Sequence, residues 1–168
     1  MIYLLDTNVI IDANRDYYPM DRVPEFWDWL IEKGNHGVIK IPNEMFFEIS
    51  IGTDKLAEWI KGKEIRDSLI LDEEVNSELL SRIINEGYGS DLSDIEVADI
   101  GRDPFLIAYA LNSKEPRVVV TTETSKPSRS RGKRKIPDVC KDFDISCINT
   151  YELIKQLDFS TNWKSKPQ

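Results

Sequence analysis

Four acidic residues dominate the chemistry that this sequence offers, because the elements around them can carry them to one place. They are Asp6, Glu48, Asp103 and Glu123. Clustered carboxylates repel one another and need a counter-cation, and hard oxygen ligands suit Mg²⁺ or Mn²⁺. An ion of this kind can generate hydroxide from water and stabilise attack on a phosphodiester. The four acids therefore indicate metal-dependent hydrolysis of a phosphodiester.

Two of these acids follow apolar runs that we predict to be buried strands. Asp6 comes directly after residues 2–5, and Glu123 lies just beyond residues 117–121. Open α/β sheets bind their ligands at the carboxyl ends of the strands. An acid buried at that edge is costly unless it is paired or holds a metal. Both carboxylates are therefore expected at the ligand-binding edge of a sheet.

The other two acids are assigned to helices, where alternatives stay open. Glu48 lies two helical turns after a predicted strand and can return toward the sheet edge, but Glu44 is one turn earlier on the same helical face. Asp103 precedes Pro104, a pair typical of a helix N-terminus, so its carboxylate could serve as a cap and not as a ligand. Asp99 could join Asp103 one helical turn away or could simply be exposed.

Apolar runs alternate with helical patterns along the chain. The predicted strands are residues 2–5, 38–41, 117–121 and 145–148, with residues 68–71 as either a further strand or the end of a linker. Strands that alternate with helices favour a parallel sheet covered on both faces. We predict one three-layer α/β/α domain with a central parallel sheet of about four to five strands. The domain spans residues 1–157, and the polar C-terminal tail, residues 158–168, is expected to be frayed.

Helix ends are predicted from capping residues. Gly34 and Gly87 each follow an apolar helical stripe and are expected to end their helices. Asp72 is expected to cap the helix that precedes Gly87, and Thr150 is expected to cap the last helix of the domain. These residues place polar turns between the predicted helices and strands.

The composition is that of an ordinary globular protein. The chain has 168 residues, of which 40% are hydrophobic and 31% are charged, enough for a sizeable core. No apolar run approaches the roughly 18 residues that a membrane span needs. Asp6 interrupts the N-terminal apolar stretch where a secretory signal would continue, so a cytoplasmic location is expected. Cys140 and Cys147 give neither a zinc signature nor a disulfide framework and are expected to be small buried hydrophobes.

Charge is distributed unevenly over a chain whose net charge is −8. Residues 72–103 hold ten acids and two bases, whereas residues 126–135 hold six bases and no acid. The basic stretch has no apolar residues, so we expect a mobile loop that contributes little to the core and binds a phosphate backbone locally. The cations expected to contact RNA are Arg129, Arg131, Lys133, Arg134 and Lys135. A solvated surface loop, or a docking site for an acidic partner, is the alternative.

Polar residues near the acids can orient them. Thr7 and Asn8 follow Asp6, and Thr121 ends a predicted strand, so these side chains can hold a carboxylate or a water. A turn or a helix cap is the alternative for Thr7 and Asn8. His36, the single histidine, lies in a turn-like stretch, which disfavours histidine-based nuclease chemistry. Five aromatic residues are expected in the core and not as base-stacking platforms: Trp27, Trp29, Phe46, Phe47 and Trp59.

Four segments of the chain resemble the motifs of the PIN-domain family. They are residues 3–13, YLLDTNVIIDA; 41–49, IPNEMFFEI; 103–111, DPFLIAYAL; and 118–123, VVVTTE. The resemblance assigns the family's glutamate to Glu48 and not to Glu44. Two features depart from the family: the fourth acid is Glu123 where an Asp is usual, and the loop after it is longer and more basic than in a compact VapC-like toxin.

The resemblance implies a Mg²⁺- or Mn²⁺-dependent endoribonuclease, often the toxin of a toxin–antitoxin pair of the VapC kind. The ion would be bound by Asp6, Glu48 and Asp103, with Glu123 as the fourth catalytic acid. Expected partners are RNA as the substrate, an antitoxin protein and a second copy of the chain, and no membrane partner is expected. Thr7, Asn8, Thr121 and Asp99 would orient the acids.

Two other classes of protein are compatible with the same residues. The first is a PIN-like module that binds RNA or a protein with weak or no catalysis. The second is a phosphatase that uses Asp6 as a nucleophile, in the style of haloacid-dehalogenase-like enzymes. That chemistry needs a second Asp two residues after the first, and position 8 is Asn8. The metal-dependent ribonuclease is therefore the preferred prediction.

Overall fold

Four parallel strands form the centre of the molecule, and the computed structural model describes residues 1–165. The strands are β1 (Ile2–Leu5), β2 (Ile39–Lys40), β3 (Arg117–Val120) and β4 (Ser146–Ile148). They lie in the order β2-β1-β3-β4, and every neighbouring pair is parallel. Helices flank this sheet, so the predicted three-layer α/β fold is confirmed.

Helices connect and cover the strands. They are α1 (Thr7–Asp12), α2 (Pro24–Asn35), α3 (Asn43–Ser50), α4 (Lys55–Ile60), α5 (Lys63–Leu69), α6 (Ser77–Arg82), α7 (Asp94–Ile100), α8 (Asp103–Leu111), α9 (Ile136–Asp142) and α10 (Thr150–Gln156). Helices α1 and α6 continue into π-helical turns, Ala13–Tyr17 and Ile83–Tyr88. Two 3₁₀ turns are formed by Arg131–Lys133 and Trp163–Ser165. Within residues 1–165, no helix is long and apolar enough to cross a membrane.

Strand order places the carboxyl ends of β1 and β3 side by side. Leu5 pairs with Val120, and the backbone N–H of Asp6 donates to the Val120 carbonyl at 2.9 Å. The chain leaves β1 for β2 on one side and later enters β3 on the other side. The topological switch point of the sheet therefore lies between β1 and β3, which is where open α/β sheets bind ligands.

The two central strands are apolar on both faces because both faces are covered. Leu4, Leu5, Val119 and Val120 are fully buried. Strands of this kind read as continuous apolar runs and not as alternating ones. The burial explains why residues 2–5 and 117–120 are recognisable as strands from the sequence.

Residues 68–71 are not a strand of the sheet. Helix α5 ends at Leu69, and Ile70 forms an isolated parallel bridge with Ile41. The Ile41 N–H donates to the Leu69 carbonyl at 2.7 Å, and the Leu71 N–H donates to the Ile41 carbonyl at 2.9 Å. These bonds fix the exit of β2 before α3 begins.

Gly34 does not end its helix, contrary to the prediction. Helix α2 runs to Asn35, and Gly34 lies inside it against α5. A Cβ on Gly34 would stand 2.7 Å from Leu69 Cδ2 and 2.8 Å from the Ser68 carbonyl oxygen. The glycine is therefore required by the close contact of two helices, and the left-handed turn is made by Gly37, whose φ is +70°.

Three other predicted helix ends are wrong by one to four residues. Asn76, and not Asp72, caps α6, because its side chain accepts from the N–H groups of Glu78 and Leu79. Asn149 caps α10 through a capping box with Glu152, and Thr150 is the first helical residue. Gly87 lies within the π-helical turn and Gly89 ends it.

The chain after residue 157 is docked on the domain, so the prediction of a frayed tail is wrong through residue 165. The Phe159 ring packs against Phe26 and Trp29, with ring centroids 5.4 and 5.0 Å apart. The indole N–H of Trp163 donates to the Glu25 carbonyl at 3.0 Å. Residues 166–168 of the predicted tail lie outside the described residues.

Most of the aromatic predictions are confirmed. Trp27, Trp29 and Phe46 are buried in the core, and Trp59 is half-buried against Trp27. Phe47 is exposed, contrary to the prediction, because it lies on the outer face of α3.

Candidate metal centre

Asp6 is a buried carboxylate at the switch point of the sheet. It follows β1 directly and is 3% exposed. The Thr121 hydroxyl donates to Asp6 Oδ2 at 2.8 Å. Burial, together with repulsion from Glu123 and Glu48, raises the pKa of Asp6 to about 6, although the Thr121 hydrogen bond opposes the rise. The structure therefore holds a carboxylate where its negative charge is poorly compensated.

Asp103 is the second such carboxylate and comes from the other side of the site. It is the first residue of α8, in which Pro104 follows. Burial, together with the charges of Asp6 and Glu123, raises its pKa to about 8, while the Lys135 ammonium opposes the rise. No residue in the described part of the chain donates a hydrogen bond to it. A capping role does not account for this carboxylate.

Glu48, and not Glu44, faces the buried pair. The Thr7 hydroxyl donates to Glu48 Oε2 at 2.5 Å, and Arg102 Nε lies 4.0 Å from Oε1. Glu44 points elsewhere, with the Tyr109 hydroxyl 3.4 Å from its Oε1. One helical turn therefore separates an acid that acts on Asp6 from one that does not.

Glu123 reaches the site from the segment after β3 and is held by three groups. The Lys135 ammonium donates to Oε1, and the Ile136 N–H donates to Oε2 at 2.9 Å. The Glu123 backbone N–H donates to the Thr121 hydroxyl at 3.1 Å. The Thr121 hydroxyl thus links the backbone of Glu123 to the carboxylate of Asp6.

The four carboxylates interact electrically but do not form a closed coordination shell. Among residues 1–165, no group of three or more His, Cys, Asp or Glu side chains is arranged to hold a metal ion. Glu48 and Glu123 are turned to protein donors, while the buried Asp6 and the half-buried Asp103 repel each other. Oxygen donors of this kind fit Mg²⁺ or Mn²⁺, since a hard cation would relieve that repulsion. Asp6 and Asp103 would hold the ion, with Glu48 next to them.

The orienting residues predicted from the sequence fall into two groups. Thr7 and Thr121 hydrogen-bond to acids of the site. Asn8 is exposed and makes no side-chain hydrogen bond within the described chain. Asp99 and Asp103 do not lie on one continuous helix. Helix α7 ends at Ile100, and Gly101, with a φ of +50°, separates it from α8. Asp99 is exposed.

Comparison with known proteins adds a family to this geometry. A family model described as Domain of unknown function (DUF4411) matches residues 3–161. The chain belongs to this family. No curated protein and no solved structure matches the chain. The match covers β1 through the docked tail, so Asp6, Glu48, Asp103 and Glu123 all lie inside the DUF4411 region.

The basic loop of this DUF4411 chain is built into the fold, contrary to the expectation that it contributes little. Arg131 bonds Glu96 and Asp91, with Nε 2.6 Å from Glu96 Oε1 and Nη1 2.8 Å from Asp91 Oδ1. Arg134 donates to the Gly87 carbonyl at 2.6 Å. Gly132 is buried against α7. The acids of residues 72–103 therefore serve in part to hold this loop.

The remaining cations of the loop surround a cavity of about 360 Å³. We name it the cationic cavity, and it is lined by Asp99, Lys126, Arg129, Gly132, Lys133 and Lys135. In the described part of the chain, Lys126, Arg129 and Lys133 form no ion pair. A larger cavity of about 700 Å³ lies at Asn43, Arg66 and Leu71, away from the four acids. The cationic cavity reaches the acids through Lys135, whereas two other cavities, of about 380 and 240 Å³, are lined by Glu48 and by Glu123.

Sequence reasoning missed three residues around the acids. Lys135 was assigned to RNA, and its contact with Glu123 links positions twelve apart across a loop. Arg102 is the residue just before α8, and its guanidinium contacts Glu48 of α3. Tyr88 is buried with an unpartnered hydroxyl, and burial together with the charge of Asp103 raises its pKa. No local motif marks these residues, because each depends on a tertiary contact.

The two cysteines and the single histidine form no hydrogen bond with the four acids in the described part of the chain. Cys140 is buried and free, as predicted, whereas Cys147 is half-buried and also free. His36 is exposed in the turn after α2, with Nδ1 3.7 Å from Glu32 Oε1. It lies in a loop, as predicted.

Proposed function

We propose that the chain is a metal-dependent endoribonuclease. The observation that carries the proposal is a pair of mutually repelling carboxylates at the switch point of the sheet, the buried Asp6 and the half-buried Asp103. Negative charge on both carboxyls is costly in such a site, so the metal-free site holds a proton at neutral pH, and a divalent cation is the simplest group to take its place. The resemblance to PIN domains supports RNA as the substrate and Mg²⁺ or Mn²⁺ as the ion.

Each residue of the site has a defined part in the proposed reaction. Asp6, Asp103 and Glu48 would hold the ion, which when bound supplies a water of lowered pKa and positive charge for the phosphodiester. Thr121 fixes the Asp6 carboxylate through its hydroxyl. Thr7 does the same for Glu48. Hydrogen bonds of this type set carboxylate rotamers and keep the oxygens in place when a substrate enters.

The cationic cavity provides a path for the RNA backbone. Lys126, Arg129 and Lys133 line it without an ion pair among residues 1–165, whereas Arg131 and Arg134 are committed to the fold. We therefore assign phosphate binding to these three cations and not to the whole basic loop. A strongly acidic surface elsewhere would repel RNA and direct it to this cavity.

The proposal is tested by a pair of substitutions on one helix. Glu48→Gln is expected to abolish Mn²⁺-dependent cleavage of a mixed RNA pool, because it removes a charge that acts on Asp6. Glu44→Gln is the matched control, since it makes the same change one turn away and faces Tyr109. Equal loss of cleavage in both variants, or full cleavage in Glu48→Gln, would contradict the assigned site.

The toxin role is a finer part of the same proposal, and we expect the reaction in the cytoplasm. An antitoxin could insert an arginine that competes with the ion for Asp6 and Asp103. Expression of this chain alone is then expected to slow growth, whereas expression of Asp6→Asn is not. Harmless expression of an enzyme with proven Mn²⁺-dependent cleavage would remove the toxin role and leave the ribonuclease.

A binding module without catalysis is the second candidate, and one observation favours it. Glu48 and Glu123 already accept from protein donors, so no three acids converge on one point in residues 1–165. The two candidates differ in one measurement. A chain that binds RNA with no dependence on Mn²⁺ and leaves it intact is the module, while Mn²⁺-dependent cleavage is the enzyme.

A further inference from the structure

The Lys135 side chain contacts Glu123, the fourth acid of the candidate metal centre. Its ammonium donates to Glu123 Oε1, and the Ile136 N–H donates to Oε2. Both oxygens of Glu123 are thereby engaged with groups of the same short segment. Glu123 is already neutralised by a charge that belongs to the chain.

The position of Lys135 is fixed by the backbone around it. It precedes α9 directly and has extended backbone angles, while the next residue begins the helix and donates to Glu123. Its side chain is 33% exposed and that of Glu123 is 17% exposed, so the pair lies at the boundary between the core and solvent. The ammonium also acts on the carboxylate of Asp103. Lys135 is therefore shared between two acids.

The same side chain lines the cationic cavity. A phosphate drawn in by Lys126, Arg129 and Lys133 meets Lys135 where the cavity borders the acids. Lys135 is thus the point of contact between the surface that attracts phosphate and the carboxylates. An exposed lysine that only binds the RNA backbone has no need of an ion pair with a half-buried glutamate.

We propose that Lys135 serves as a built-in second cation, so that the site binds one divalent ion through Asp6, Glu48 and Asp103 and not two. Glu123 holds the ammonium in place and does not coordinate the ion. This proposal rests on the proposed metal-dependent function. It also accounts for a glutamate at this position, since the longer side chain spans both the ammonium and the Ile136 N–H.

The proposal is tested by counting Mn²⁺ ions with isothermal titration calorimetry on the full-length chain. Wild type is expected to bind one Mn²⁺ per chain. Lys135→Met is expected to bind two, because Glu123 and Asp103 then lack their cation. Lys133→Met is the matched control, which removes a cation of the same cavity that contacts no acid of the site, and it is expected to bind one. Lys135→Arg keeps the charge and is also expected to bind one.

The possible outcomes distinguish failure of the Lys135 proposal from failure of the proposed ribonuclease function. One ion in both wild type and Lys135→Met, with cleavage intact in wild type, overturns the role of Lys135 and leaves the ribonuclease. Two ions in wild type overturn it as well, and that result does not depend on whether a variant folds. A wild-type chain that binds no Mn²⁺ overturns both. One ion in wild type and two in Lys135→Met support both.

Discussion

Asp103→Asn is expected to make the metal-free protein more stable, and the gain is expected to be larger at pH 8 than at pH 5. The pKa of Asp103 is raised in the folded state from 3.8 to about 8. The folded state therefore binds the proton more tightly than the unfolded state does. The stability that Asp103 contributes is full below pH 3.8 and is lost as the pH rises toward 8.

The size of the effect follows from the same shift. One pKa unit is about 1.36 kcal/mol, so the loss between pH 5 and pH 8 is at most roughly 4 kcal/mol. Asp103 is only half-buried, and part of its shift comes from Asp6 and Glu123, whose own charges respond. The gain in the free energy of unfolding of Asp103→Asn at pH 8 is therefore expected to be about 1–2 kcal/mol.

Urea denaturation at pH 5 and pH 8, without divalent ions, measures this gain. Asp21→Asn is the control, because Asp21 is an exposed acid away from the site. Its free energy of unfolding is expected to change little at either pH. Added Mn²⁺ is expected to stabilise wild type more at pH 8 than at pH 5, since protons and the ion compete for the same oxygens. A destabilised Asp103→Asn at pH 8 would refute the claim that this carboxylate is under electrostatic strain.

Three further predictions follow from other contacts of the structure. Thr121→Val removes the hydrogen bond that lowers the pKa of Asp6, so the midpoint of Mn²⁺ binding against pH should rise by about one unit, while Thr121→Ser should not shift it. Phe159→Ala should cost about 2 kcal/mol in urea denaturation because its ring packs against the core, and a cost equal to that of the exposed control Ile51→Ala would mean that the tail is not docked. Changing the three unpaired cations of the cationic cavity to Ser should flatten the salt dependence of RNA binding by about two units of slope, and an unchanged slope would move the RNA path elsewhere. The control for this last change is the same substitution at three exposed lysines, Lys55, Lys61 and Lys63.

The positions of the central strands, and the fact that they are buried, were predictable because both depend on local composition. Residues 2–5 and 117–120 are continuous apolar runs, and such runs occur where both faces of a sheet are covered. Asp6 and Glu123 could be placed at the sheet edge for the same reason. The sequence could not give the order β2-β1-β3-β4, which sets the switch point between them.

Glycines and caps were predicted less well because one residue type serves several purposes. Gly34 reads as a helix end, yet its lack of a side chain is needed where α2 meets α5. Gly101 does end a helix. It lies between Asp99 and Asp103, which would be one turn apart on the same face if the helix were continuous. Both outcomes depend on which element packs against the glycine, and periodicity alone does not report that.

Contacts between residues far apart in the chain explain the largest errors of the sequence-based prediction. The basic loop has no apolar residues, so it reads as a solvated segment, but Arg131 is held by acids that lie 35 and 40 residues earlier in the chain. The tail is polar on average, yet Phe159 and Trp163 are placed to contact α2. Average composition does not show how one or two side chains anchor a segment.

The central claim is that the buried acids at the switch point cleave RNA with a divalent ion. It is tested most directly by incubating a mixed RNA pool with wild type and with Asp6→Asn, each with and without Mn²⁺, and separating the products by gel electrophoresis. The account predicts internal cleavage by wild type with Mn²⁺ only and none by a folded Asp6→Asn. Equal cleavage by the two proteins, or intact RNA in every reaction, would contradict it.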